Sequence, residues 1–143
     1  MSFMLPQQLI PVLQGKIPAG FPSPAADYQE ERIDLTEKLI RHPAATFIVE
    51  SEGDSMLNVF IPPKALLLVD RSLTPKNNDI VVAVLNGEFT VKILRKNDIK
   101  CWLYPANRKY KEIEITPEMN LVIWGVVTYV ISNPKDLNSV CLP

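Results

Sequence analysis

The stretch SEGDSM at residues 51–56 holds a serine, Ser55, whose setting could support nucleophilic chemistry. Gly53 can take a positive φ without strain, so we expect a sharp turn with Ser55 at its bend. Unpaired backbone N–H groups in such a turn, here formed by Gly53, Asp54, Ser55 and Met56, can bind a developing oxyanion. A polar turn capped by a serine is a more ordinary arrangement of the same residue types. The stretch alone leaves both interpretations open.

A serine nucleophile needs a general base, and two residues are candidates. His42 is the single histidine of the chain. It precedes a proline in RHPAAT, where nothing pairs it with a carboxylate, so a solvated surface histidine is expected. Lys92 lies in the apolar pattern FTVKIL, where burial would lower its pKa because desolvation disfavours the ammonium ion. Most strand lysines instead extend to water. The residues suggest a Ser55–Lys92 dyad but do not place the two side chains together.

Charge and cysteine content exclude several classes of protein. The 143 residues are enough for one domain with a buried core. The 15 basic and 16 acidic residues nearly cancel, so no direct binding of DNA is expected. Cys101, Cys141 and His42 lack the spacing of a zinc site. We therefore expect no metal, no cofactor and a reducing compartment.

No signal peptide or membrane anchor is predicted. The N-terminal residues MSFMLPQQLIPVLQGKIPAG lack a basic region, and Pro6, Gln7 and Gln8 interrupt their apolar pattern. The longest apolar run, LVIWGVVTYVI at 121–131, is too short to span a bilayer. We expect a soluble, cytoplasmic protein without a membrane partner.

Residues 1–31 are predicted to form a flexible or loosely docked arm with short extended pieces. Five prolines and two glycines in this segment forbid a continuous helix. Asp34, with Glu37 three residues later, resembles a capping box and predicts a short helix that ends before Pro43.

Residues 32–143 are predicted to form a β-rich domain. The patterns are short, rich in Val, Ile and aromatic residues, and separated by turn residues. They are TFIVE, ALLLVD, DIVVAVL, EFTVKIL, IKCWLY, KEIEI and LVIWGVVTYVI. Asn86 and Gly87 predict a tight hairpin between two of them. The fold class is therefore mostly β, with antiparallel pairing.

Two motifs, GDSM at 53–56 and GEFTVK at 87–92, resemble the self-cleaving serine–lysine peptidases of the LexA and UmuD type, family S24. The likeness is closer to the UmuD type and covers roughly residues 19–131. Further matching blocks are GFPSPAADYQEERIDL at 20–35, HPAATF at 42–47, LLLVDRS at 66–72, DIVVAVLNGEFTVK at 79–92 and VIWGVVTYVI at 122–131. The resemblance implies a LexA/UmuD C-terminal-like compact body of curved, partly barrel-like antiparallel sheets, with one short helix and an extended N-terminal arm.

The resemblance also implies roles for particular residues. Ser55 is the expected nucleophile, Lys92 the general base, and Ala19–Gly20 the scissile bond. The backbone N–H of Ser55, with a neighbour in the turn of residues 53–56, is the expected oxyanion donor. The implied protein is a homodimer that cleaves itself on meeting RecA filaments on single-stranded DNA during the SOS response. Its trimmed form, residues 20–143, would join a UmuC-type subunit in the error-prone translesion DNA polymerase V.

Three features depart from the family pattern. LNVFIPPKA at 57–65 replaces a loop with glycine and aspartate, and Phe60 in it is exposed unless it packs. Ala19 stands where the nearest relatives have cysteine, although LexA-type repressors also have alanine. Residues 132–143 extend past the last matching strand. The altered loop at 58–64 keeps open a second interpretation, a dimeric interaction module that binds a polymerase without catalysis.

Two further alternatives are disfavoured. A LexA-like repressor needs a helix-turn-helix and a linker, for which the 19 residues before Gly20 are too few. A membrane-bound signal peptidase with related chemistry needs an anchor that is not predicted. Cleavage at Ala19–Gly20 would distinguish the self-cleaving protein from the binding module.

Overall fold

The computed structural model describes residues 8–14, 16–22, 24–25 and 29–136. The described residues form two compact units, one within residues 1–41 and one within residues 42–143. The predicted boundary between a cleavable arm and the β-rich domain, at residues 31 and 32, stays a prediction.

A β-hairpin makes up most of the first unit. Strand β1, Leu9–Leu13, pairs antiparallel with strand β2, Glu30–Asp34. The backbone N–H of Gln14 donates to the Gln29 carbonyl at 2.5 Å and extends the ladder. The extended character of β1 agrees with the short extended pieces expected here. The sequence EERID in β2 has no apolar alternation, so its pairing with β1 is not predictable from local pattern.

A single turn-and-a-half helix, α1, follows β2 at Leu35–Leu39. The Asp34 side chain accepts hydrogen bonds from the backbone N–H groups of Thr36 at 3.0 Å and Glu37 at 3.3 Å. These bonds satisfy two of the N–H groups that the first turn leaves unpaired. The short helix predicted to start at Asp34 and to end before Pro43 is confirmed.

The second unit contains a seven-stranded antiparallel sheet in the order β3-β4-β9-β5-β6-β7-β8. The strands are β3 (Thr46–Glu50), β4 (Leu66–Asp70), β5 (Ile80–Leu85), β6 (Glu88–Lys96), β7 (Cys101–Tyr104), β8 (Ile113–Glu114) and β9 (Leu121–Ile131). Each strand lies within or overlaps one of the seven predicted patterns. The mostly β fold with antiparallel sheets is therefore confirmed.

A two-residue turn joins β5 to β6. Asn86 has a φ of 50° and Gly87 a φ of 84°, so both central residues are left-handed. Such a turn matches the right-handed twist of the flanking strands. The hairpin predicted at Asn86–Gly87 is confirmed, and it sets the register that places Lys92 opposite Val81.

The central strand β5 is buried on both faces. Val82 belongs to one apolar cluster, whereas Val81 and Ala83 belong to a second one, as the alternation of side chains along a strand requires. The first cluster also contains Met56 and Ile61 from the connection between β3 and β4. This connection, residues 51–65, therefore packs over one face of the sheet.

In the part of the chain that the structure describes, no helix is long and apolar enough to cross a bilayer.

Candidate active site

Ser55 lies in a turn on the connection that crosses the sheet. Gly53 has a φ of 80° there, a backbone conformation that side chains with a Cβ rarely adopt, although an added Cβ would meet no atom within 4 Å. Met56 is only 3% exposed and anchors the turn in the first apolar cluster. A short 3₁₀ segment, Leu57–Val59, follows. Ser55 itself is half-buried.

Lys92 meets Ser55 from strand β6. Its Nζ lies 3.0 Å from the Ser55 Oγ and donates a second hydrogen bond to the Val91 carbonyl at 3.1 Å. Strands β3 and β6 are four spacings apart in the sheet, roughly 19 Å if the sheet were flat. The two side chains meet because the connection after β3 packs across the sheet face. This packing brings together two residues that are 37 positions apart in the sequence.

Burial changes the acid–base chemistry of this pair. Desolvation lowers the pKa of Lys92 from its ordinary value of 10.5, because burial removes hydration that stabilises the ammonium ion much more than the neutral amine. A neutral Lys92 amine can accept the Ser55 hydroxyl proton across the same 3.0 Å. The geometry therefore suits a serine activated by an amine base.

The turn also offers backbone donors. Among the described residues, the N–H groups of Ser55 and Met56 donate to no protein acceptor, whereas the N–H of Leu57 donates to the Asp54 carbonyl at 3.3 Å. Two unpaired N–H groups beside a nucleophile are what stabilisation of an oxyanion requires. The turn formed by Gly53, Asp54, Ser55 and Met56 thus places its backbone donors next to the Ser55–Lys92 pair.

A cleft of about 480 Å³ opens at this pair. Its lining includes the aromatic side chains of Phe89 and Trp124 and the carboxylates of Glu50 and Glu52. Trp124 is the extra residue of a β-bulge, since Val82 pairs with Gly125 and Ala83 with Ile123. The Phe89 ring meets the Trp124 ring edge-on at 5.8 Å. The cleft therefore presents apolar walls suited to an extended peptide.

The atypical loop at residues 57–65 is tied to the start of the connection. Ser51 Oγ donates to the Pro62 carbonyl at 2.6 Å and accepts from the Ala65 N–H at 3.1 Å. Pro62 is fully buried, whereas Phe60 is 84% exposed and has a left-handed φ of 64°. Phe60 thus stays exposed, as the sequence allowed. The loop contributes Ile61 and Ala65 to the first apolar cluster.

Comparison with known proteins identifies the family. The sequence profile described as peptidase S24-like matches residues 11–128. The chain belongs to the peptidase S24-like family. The resemblance to the LexA and UmuD type, predicted from the motifs around Ser55 and Lys92, is thereby confirmed at the level of the family.

Several known proteins are similar over most of the chain. Protein SamA of Salmonella typhimurium (strain LT2) is 46% identical over 129 residues, which cover 90% of this chain and 89% of SamA. Protein MucA of Escherichia coli is 42% identical over 127 residues, covering 87% of this chain and 86% of MucA. The LexA repressor of Alcanivorax borkumensis is 32% identical over 129 residues, covering 90% of this chain and 62% of the repressor.

His42 has a carboxylate partner, which corrects one expectation. Its Nδ1 lies 2.5 Å from an Oδ of Asp70, and Asp70 also accepts hydrogen bonds from the backbone N–H and hydroxyl of Ser72. The expectation that nothing pairs His42 with a carboxylate is wrong, because β3–β4 pairing brings a residue 28 positions away alongside it. His42 does not line the cleft at Ser55.

The S24 scissile-bond candidates lie in the first unit. Ala19 and Gly20 are both exposed, in a bend between β1 and β2. Nothing lies within 4 Å of a Cβ added at Gly20. The flanking residues Ile17 and Phe21 are 72% and 87% exposed. A scissile bond must be accessible to a peptidase site, and the exposure of this segment meets that requirement.

Residues 8–14, 16–22, 24–25 and 29–136 contain no group of three or more His, Cys, Asp and Glu side chains placed to hold a metal. Cys101 is a free thiol, and Cys141 lies outside the described residues. The predicted tail at 132–143 is described as far as residue 136.

Sequence patterns did not single out some residues near Ser55. Asn107 and Tyr110 both bond Asp54, from more than 50 positions away. They lie in a polar segment without periodicity, so no local signal marks them. Phe89 and Trp124 appear in strand patterns, but a pattern does not tell which face borders a cleft.

Proposed function

We propose that this chain is an autoproteolytic serine peptidase that cuts its own backbone between Ala19 and Gly20. Ser55 is the nucleophile and Lys92 the general base. The observation that carries the proposal is the 3.0 Å distance between Lys92 Nζ and Ser55 Oγ, in surroundings that lower the pKa of the lysine. Membership of the peptidase S24-like family supports the reaction class.

The first step forms an acyl-enzyme. The neutral Lys92 amine takes the proton of the Ser55 hydroxyl as Oγ attacks the Ala19 carbonyl carbon. The resulting oxyanion accepts hydrogen bonds from the N–H groups of Ser55 and Met56. Collapse breaks the C–N bond, and the Lys92 ammonium returns the proton to the leaving nitrogen of Gly20.

The second step releases the fragment. A water molecule gives a proton to Lys92 as its oxygen attacks the Ala19–Ser55 ester. The tetrahedral intermediate collapses by breaking the bond between the acyl carbon and Ser55 Oγ, and the Lys92 ammonium gives its proton to Oγ. The Ser55 hydroxyl and the neutral Lys92 amine are thereby regenerated. The products are residues 1–19 and residues 20–143.

The proposed cellular role follows from the likeness to the UmuD type. Cleavage is stimulated by RecA filaments on single-stranded DNA in the SOS response. The protein is a cytoplasmic homodimer, and the trimmed form acts with a UmuC-type polymerase in error-prone translesion synthesis. The similarity to SamA and MucA, at 46% and 42% identity, supports this assignment. The near balance of 15 basic and 16 acidic residues suits a protein that senses DNA through a partner.

Intact-mass spectrometry of the full chain tests the reaction. The chain is incubated with RecA, single-stranded DNA and a nucleoside triphosphate, and in parallel at alkaline pH without RecA. We expect a fragment that begins at Gly20. Ser55→Ala and Lys92→Met should each lower its rate of formation at least about 100-fold, because each removes a partner in proton transfer. Lys96→Met, four residues along the same strand, is the matched control and should cleave like the parent.

Two results would contradict the proposal. A fragment of the same mass from Ser55→Ala would assign the cut to another nucleophile or a contaminating protease. A parent chain that stays whole under both conditions would mean that the pair is not catalytic. The binding module without catalysis would then be the better account.

A further inference from the structure

We infer that Ala106–Tyr110 is a positioning loop that holds the Ser55 turn in register with Lys92, with Asn107 and Tyr110 acting on Asp54. The inference rests on the proposed Ser55–Lys92 reaction and deepens it. Neither Asn107 nor Tyr110 reaches the reacting atoms. Both act through the residue before the nucleophile.

The loop holds the backbone carbonyls on both sides of the Ser55 Cα. The Ala106 N–H donates to the Ser55 carbonyl at 2.7 Å. The Asn107 Nδ2 donates to the Asp54 carbonyl, also at 2.7 Å. These two short bonds fix the orientation of the two peptide groups that flank the Ser55 Cα, and with it the direction of the Ser55 Cα–Cβ bond.

A third contact fixes the Asp54 side chain. The Tyr110 hydroxyl donates to one carboxylate oxygen of Asp54 at 2.6 Å, a short charge-assisted hydrogen bond. The hydrogen bond to Asp54 and the charge of that carboxylate raise the pKa of Tyr110 above its ordinary value. Lys109 Nζ lies 3.9 Å from the other oxygen, but its side chain is 78% exposed and the pair contributes little.

Hydrogen bonds within the loop fix its own conformation. The Asn107 side-chain oxygen accepts from the Lys109 N–H at 3.0 Å, and its backbone carbonyl accepts from the Tyr110 N–H at 3.1 Å. This is an Asx turn, which orients the Asn107 amide toward Asp54. The Asn58 N–H returns a bond to the Ala106 carbonyl at 2.7 Å and closes the connection from the far side of Ser55.

The same loop is connected to the strand of the base. It begins two residues after the end of β7, whose last residue, Tyr104, pairs with Ile93 of β6, the neighbour of Lys92. The position of Ser55 is therefore fixed relative to the strand pair that carries Lys92. A nucleophile and a base on separate elements need such a link, because a displacement of about 1 Å can cost 100-fold in rate.

Single substitutions in the full chain test the inference. The first measurement is the rate of self-cleavage at alkaline pH without RecA. The second is the rate at which a fluorophosphonate attaches to Ser55, which does not need the scissile segment. We expect Tyr110→Phe and Asn107→Ala to lower both rates about tenfold or more. Tyr129→Phe is the matched control, since its hydroxyl bonds nothing in the described part of the chain, and should react like the parent.

Further readouts separate positioning from folding. Tyr110→Phe should keep the parent's urea midpoint and the parent's pH midpoint for cleavage, with a lower plateau, because the surroundings of Lys92 are unchanged. Asp54→Ala should lose as much rate as Tyr110→Phe, and adding Tyr110→Phe to it should cost little more, since both remove one contact. Asp54→Asn, which keeps an oxygen acceptor for the tyrosine, should recover part of the rate lost in Asp54→Ala.

Each outcome has one meaning. Parent-like rates in Tyr110→Phe and Asn107→Ala would overturn the positioning role while leaving the reaction intact. Rates that fall only in step with the folded fraction would also overturn it, because the loop would then serve stability alone. A parent that neither cleaves nor reacts with the fluorophosphonate would overturn the proposed function and the inference together.

Discussion

The side chain of Ser51 is the sharpest test of how the atypical loop is held. Ser51 is 8% exposed, and its hydroxyl makes two hydrogen bonds, to the Pro62 carbonyl at 2.6 Å and from the Ala65 N–H at 3.1 Å. Ser51→Ala removes both. The backbone bonds of Ser51, to Ala65 at 2.8 Å and from Lys64 at 2.9 Å, do not depend on the side chain.

The expected loss of stability follows from these contacts. Two buried hydrogen bonds contribute about 1 kcal/mol each, or roughly 2 kcal/mol together. The Pro62 carbonyl would not be left wholly unpaired, because the Ala65 N–H also lies 3.4 Å from it. We therefore expect Ser51→Ala to lower the free energy of unfolding by about 2 kcal/mol.

Urea unfolding followed by tryptophan fluorescence measures this loss. The parent should carry Ser55→Ala, so that cleavage cannot alter the chain during the titration. Ser132→Ala is the control, since its hydroxyl has no hydrogen bond within the described residues. The m-value should stay constant, which would locate the effect in the native state. A loss below about 0.5 kcal/mol would refute the reasoning, because the two buried hydrogen bonds of the hydroxyl would then contribute almost nothing to stability.

Three further predictions concern pH. Cleavage without RecA should speed up as pH rises through a range below the ordinary lysine pKa of 10.5, because burial lowers the pKa of Lys92 and the neutral amine is the active form. The lowered pKa also means that the Lys92 ammonium destabilises the folded state at neutral pH. The free energy of unfolding of Lys92→Met, measured in urea, should therefore equal or exceed that of the parent at neutral pH, and the difference should shrink toward pH 10.5. For Asp70, burial raises the pKa, but the hydrogen bonds from Ser72 and His42 together outweigh it and lower the pKa below 3.8. The ionised Asp70 thus stabilises the fold above pH 3.8 and loses this effect as pH falls through its folded pKa. Asp70→Asn should flatten the acid limb of the urea midpoint against pH, and an unchanged limb would assign the dependence to other carboxylates.

Local pattern predicts the second unit well. Most strands of the seven-stranded sheet are runs of apolar residues rich in Val, Ile and aromatics and bounded by turn residues, and such runs carry their own signal; the two-residue strand β8, Ile113–Glu114, is the exception. The hairpin at Asn86–Gly87 and the cap at Asp34 are equally local, since each depends on residues within three positions. These features are predictable because they depend on the backbone preferences of residues that are close together in the sequence.

Contacts distant in sequence are not predictable in the same way. β2 pairs with β1 although EERID has no strand pattern, because backbone hydrogen bonds need no particular side chain. Asp70 meets His42 through the register of β3 and β4, which apolar runs alone do not specify. The resemblance to a family selected Ser55 and Lys92, whereas residue chemistry alone left both with ordinary interpretations.

The placement of Ser55 depends on residues that do not take part in the chemistry. Its turn contains Gly53 at positive φ and an exposed flank, which alone would leave the Oγ poorly fixed. Met56 anchors the turn from below, and Ser51 ties the loop that follows. The Ala106–Tyr110 loop fixes the two carbonyls beside Ser55. Since Lys92 is held by a strand, only the turn needs such support. Substitutions at these supports should therefore lower the rate while leaving the pH midpoint set by Lys92 unchanged.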